Sequence, residues 1–296
     1  MSFRRLAPSW NPGALGRSLV MDELQDRIPG RESPGSRHAV CEESPWLPLR
    51  DVPKPFIKQS EEYWIGLRAR LIELKTEDLR WSFDGGAQFT IKSKYGFERT
   101  ETVDPFPCYA HDLALVTSIV RGVEAAFPVG FLPTYYILHH EVSDRTNGHT
   151  NLIFDTNGNL RNWDPYIVLS GKRIPLHPGM TRSLIAHEYG LVVRYWINRQ
   201  HSISPVTAFD HEYLALRPEA ETGAPRGREW HAQLVELIAD DFRICVTGID
   251  REYWPHPGFR HPDMIPDIRE FWSRMVKEFA YRPEITSMGL PDKGGL

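Results

Sequence analysis

The chain has three cysteines, Cys41, Cys108 and Cys245, far apart and without a CxxC pair. An odd, scattered set argues against a disulfide framework, and a reducing cytoplasm is the expected compartment. Long apolar runs are missing as well. The most apolar window, Ala125 to Leu138, is broken by Pro128 and Pro133, and falls short of the ~18 residues a membrane span requires. Met1 to Val20 carries Arg4, Arg5 and Arg17 but no continuous apolar core, which argues against a secretory signal. An excess of one charge is lacking too. Lys and Arg number 35 against 39 Asp and Glu, a net charge of −4, and the basic residues are scattered. Neither nucleic acid nor an anionic membrane is therefore expected as a partner.

What is present is ordinary globular material: 296 residues, 41% hydrophobic and 25% charged. A chain of this length can bury a sizeable core in one large domain or two small ones. Residues 1 to about 55 contain eight prolines and near-balanced charge. That composition buries little apolar surface, so it reads as a disordered tail. Trp10 and Trp46-Leu47 are short apolar pieces able to dock on the domain of residues 56–296.

Within that domain, Ser60 to Lys75 reads as a helix, with Ser60 as N-cap and an apolar stripe of Tyr63, Leu67, Leu71 and Leu74. Gln88 to Lys94 alternates as a strand, and Tyr109 to Phe127 reads as a second helix. Tyr135 to Val142 and Tyr166 to Leu169 read as strands. Asn151 to Phe154 and Asn159 to Trp163 read as a hairpin around Asn157-Gly158. Helices follow over Thr181–Arg199, Glu229–Val246 and Ile268–Phe279. The order predicts an α+β domain whose C-terminal half is mainly helical.

The chemistry concentrates on two of these helices. His187-Glu188-Tyr189-Gly190-Leu191 differs at one position from HExxH, which sets two histidines one turn apart on a helix with a glutamate beside the first. The second histidine position holds Leu191. Further on, Glu236 and Asp240 share one face of the helix Glu229–Val246, 45 residues after Leu191. A helix-borne glutamate is a common third zinc ligand, and a carboxylate commonly takes the other N–H of a ligating histidine.

Together these two segments resemble the gluzincin class of zinc metallopeptidases, the thermolysin-like arrangement. The resemblance covers roughly residues 130–260 and implies a zincin-like fold, a small mixed sheet beside an active-site helix, with an edge strand that holds extended peptide. It implies His187 and Glu236 as zinc ligands, Glu188 as general base towards the metal-bound water, and Asp240 as the carboxylate orienting a histidine. The family also uses a Tyr or His to stabilise the oxyanion, for which Tyr253, His256 and His261 are candidates. The implied activity is hydrolysis of a peptide or protein substrate.

Leu191 departs from the family at the second ligand. Catalytic zinc sites use three protein ligands and a water, and losing one lowers affinity by several orders of magnitude. This chain is accordingly expected to bind zinc weakly or not at all and to cleave peptides poorly. Three explanations stay open: a variant of an active enzyme, a pseudoenzyme that keeps the cleft for binding peptide or protein, or a substitute ligand such as His211 or Asp240.

Overall fold

In the computed structural model, the described residues are 61–83, 85–92, 98–142, 146–153, 164–200, 208–222, 228–250, 255–256 and 258–281. The N-terminal tail, the Asn157-Gly158 turn with its Asn159–Trp163 strand, and Tyr253 lie outside them. The described residues form an α+β fold of seven α-helices and eight strands. Among them, no helix is long and apolar enough to cross a membrane. Cys108 and Cys245 are free thiols.

Two apolar runs fix the layering. Strand β5 (Thr134–Leu138) and strand β8 (Asp164–Leu169) pair in parallel and are buried along almost their whole length. Successive strand side chains point to opposite faces. Tyr135, Ile137, Ile167 and Leu169 thus join a core shared with helices, while Tyr136, Leu138, Tyr166 and Val168 pack against Phe89, Ile91 and Val103. A strand buried on both faces needs apolar residues at every position rather than alternate ones, which is why these segments read as continuous runs.

The first sheet has the order β1-β5-β8-β7, with β1 spanning Leu71–Leu74 and β7 spanning Gly148–Ile153. Strand β1 runs parallel to β5, and β7 closes the other side antiparallel to β8. The second sheet, order β2-β3-β4-β6, covers one face of the first. It comprises Arg80–Trp81, Ala87–Lys92, Glu98–Pro107 and His140–Val142. Helices cover the other face: α1 (Glu61–Arg70), α2 (Leu113–Ala126), α3 (Pro178–Gln200), α4 (Ala208–Leu216), α5 (Pro218–Thr222), α6 (Arg228–Cys245) and α7 (Pro266–Phe279).

Three sequence expectations shift. The first helix ends at Arg70, because Leu71–Leu74 gains a ladder of parallel pairs with Tyr135–Leu138 that outweighs the helical spacing of Leu71 and Leu74. The predicted strand Tyr135–Val142 is two strands that part at His139 and enter different sheets. The second helix starts at Leu113, where the Asp112 side chain accepts from the Leu115 amide as an N-cap.

Helix α3 is buried on nearly every side from Thr181 to Asn198. It is the central helix and packs against α2, α6, β7 and β8. Its contact with α6 is unusually close at Gly190. A Cβ there would stand 3.0 Å from the Ala239 Cα, the Ala239 carbonyl oxygen and the Phe242 ring. Two of those three atoms are backbone and cannot turn aside. We expect Gly190→Val to cost about 3 kcal/mol through overpacking, read as a lower urea midpoint. Parent-like stability would mean that the two helices can separate freely.

Candidate functional site

Residues from both helices meet where α3 crosses α6. His187 is buried and faces α6. Its Nε2 lies 2.8 Å from Glu236 Oε2 and its Nδ1 lies 3.0 Å from Asp240 Oδ1. Glu236 and Asp240, one turn apart on α6, thus grip opposite edges of one imidazole.

Asp240 is the hub. Its Oδ1 also accepts from Arg243 Nε at 2.8 Å, an i,i+3 partner on the same helix, and its Oδ2 lies 2.8 Å from His256 Nε2. Arg243 continues to the Ile249 carbonyl at 3.0 Å, which ties the end of α6 to the segment after it. His256, an oxyanion candidate by sequence, spends its Nε2 on Asp240. The other candidate in this segment, His261, pairs with Asp250 and Asp263, both at 3.6 Å.

Glu188, beside His187 on α3, is bound to the sheet. Thr150 Oγ1 on β7 lies 2.7 Å from Glu188 Oε2 and 2.9 Å from the Glu188 backbone carbonyl. The glutamate carboxyl is thereby fixed against β7. Among the described residues, no strand pairs with the outer side of β7. Leu191 is buried, 6% exposed, one turn along α3 from His187.

No family model matches the chain, and neither a curated protein nor a solved structure matches it.

The structure therefore brings together His187, Glu188, Glu236, Asp240 and His256, with Leu191 one turn from His187. His211, the histidine expected as a substitute ligand, is exposed on α4. Two contributors escaped sequence reading. Arg243 was signalled by its i,i+3 spacing from Asp240, whereas nothing local signals that Thr150 faces Glu188.

The electrostatics follow from burial against pairing. Burial opposes charge on His187, but Asp240 and Glu236 outweigh it and raise the imidazole well above its ordinary 6.5. Burial would raise Asp240, yet His187, His256 and Arg243 hold it well below 3.8. For Glu188 burial prevails over His187 and the Thr150 hydrogen bond, and the carboxyl is raised above 4.5.

Each shift sets a sign for stability against pH. A histidine raised on folding contributes fully below 6.5, and that stability is lost as pH climbs through its folded value. A carboxyl raised on folding, Glu188, adds a cost that grows as pH rises past 4.5. A lowered carboxyl, Asp240, contributes above 3.8 and loses that stability as pH falls. The maximum should lie on the acid side of neutrality, with unfolding free energy declining above about pH 6.5. Urea unfolding across this range should show a steeper alkaline decline in the parent than in His187→Gln. Parallel profiles would contradict the assignment to His187.

Proposed function

We propose that this chain carries the zincin-like framework of a gluzincin-type zinc metallopeptidase with an incomplete metal position, so that peptide-bond hydrolysis is impaired or absent. What carries the reading is His187 held between Glu236 and Asp240 on a second helix. One helical motif supplies the imidazole, and a second, far away in sequence, supplies both the candidate ligand partner and the orienting carboxylate. The edge position of β7 and the anchoring of Glu188 against it add to the support.

A catalytic zinc ion takes three protein donors and a water, and would activate that water for attack. The residues present do not fit that requirement. His187 and Glu236 offer two donors, and the isobutyl group of Leu191 stands where the third belongs. Among the described residues, no group of three or more His, Cys, Asp or Glu side chains is arranged to hold a metal ion. No hydrolytic step is therefore assigned to this chain.

A second reading is a non-catalytic module that binds an extended peptide or protein segment. It is favoured by the antiparallel strand β7, whose outer side pairs with no strand among the described residues and so offers a main-chain ladder for strand addition. The test is Leu191→His, compared with the parent for zinc content and for cleavage of unfolded polypeptide. Zinc uptake with cleavage supports the peptidase framework. Uptake without cleavage favours the binding module, and no uptake counts against the framework itself.

A further inference from the structure

Two nitrogen and oxygen donors that share a tetrahedral zinc ion at about 2.0–2.1 Å stand roughly 3.3 Å apart. Here the corresponding atoms, His187 Nε2 and Glu236 Oε2, are 2.8 Å apart, an ordinary direct hydrogen-bond distance. The opposite ring nitrogen is also engaged, on Asp240 Oδ1 at 3.0 Å. Both ring nitrogens thus face carboxylate oxygens, and neither is left for an ion. Asp240 is itself engaged on both oxygens, with Arg243 also on Oδ1 and His256 on Oδ2. Leu191 is buried and adds no donor.

We propose that these residues form a metal-independent clasp, in which His187 joins α3 to α6 directly and Asp240 extends the link to the segment carrying His256. The clasp lies on the α3–α6 seam, where Gly190 already lets the backbones approach. It fixes the angle between the helix that carries Glu188 and the helix beside it without an ion. The proposal shares residues with the function proposed above, but it does not need an enzyme ancestor.

The test is thermal unfolding of the purified full chain alone, with excess EDTA, and with equimolar zinc. Neither addition should move the parent Tm. Glu236→Gln, at a position whose side chain is 21% exposed and so tolerant of change, should lower Tm by roughly 3–10 °C, as loss of a charged hydrogen bond in a chain of this size would. The drop should be the same in EDTA. His187→Gln combined with Glu236→Gln should cost less than the sum of the single changes. A Tm that falls in EDTA or rises with zinc overturns the clasp, because an ion would then be holding the helices. Additive costs overturn it as well. If His187→Gln does not fold, an unchanged Tm in Glu236→Gln alone is sufficient to overturn it. Zinc uptake by Leu191→His is read on a different chain, so the two proposals fail separately.

Discussion

Leu191→His should bind zinc on the order of 10²–10³-fold more tightly than the parent. The scale follows from structural zinc sites, where about 10–16 kcal/mol is shared among four ligands, so one donor contributes a few kilocalories and each 1.4 kcal/mol is tenfold. Zinc would have to open the 2.8 Å contact between His187 and Glu236 and enter between them. His187 is oriented through Asp240, and Glu236 stands on its other side. The substitution also has a signature independent of activity. Position 191 is buried, and an imidazole without a partner there is costly. Leu191→His should therefore be less stable than the parent in EDTA, and zinc should restore it by mass action. Metal analysis after dialysis, with Tm measured in EDTA and in zinc, checks both halves. A variant that unfolds at the same temperature in both conditions would remove the zinc framework from consideration.

Asp240→Ala should be the most destabilising single change at the site, costing about 3–5 kcal/mol, the usual result of stripping one partner from a buried ion pair. Arg243 has no exposed side-chain surface, and among the described residues its Nη2 has no hydrogen-bond partner. Without Asp240 it keeps the Ile249 carbonyl but loses its nearest anion. His187 and His256 lose an acceptor in the same step. Asp240→Asn should cost much less. Its amide oxygen can still accept from His187 and Arg243, while the amide nitrogen faces His256, whose ring can switch tautomer to accept. Urea unfolding of the two variants beside the parent is the measurement. If the alanine variant lies within about 1 kcal/mol of the parent, the hub role of Asp240 is wrong.

The site was more legible in the sequence than the sheets were. Helical spacing is local, so His187-Glu188 and Glu236/Asp240 could each be placed on a helix face from residues within one or two turns. The meeting of the two faces followed only from the resemblance. Thr150 could not be found this way, because its partner is 38 residues away and depends on how β7 lies against α3. Leu71–Leu74 carries a helical stripe and was claimed by its neighbours, since parallel pairing with β5 is invisible before the sheet exists. Strand β4 received no assignment from the sequence, because Pro105, Pro107 and its charged residues show no clear apolar alternation. Its pairing along β3, from Val103 with Ala87 to Glu98 with Lys92, supplies what composition does not.

The parting of β5 and β6 at His139 has a mechanical consequence. One residue is all the chain spends in passing from the helix-backed sheet to the covering sheet, and the His139 carbonyl accepts from the Cys108 amide just past the end of β4. Gly171 packs on the same turn, with space for a Cβ denied by the His139 and His140 backbone. The covering sheet therefore cannot lift away as an independent flap. Opening it pulls on the strand that sits beside β8 at the centre of the other sheet, so the two sheets belong to one cooperative unit, and loss of order in either propagates to both.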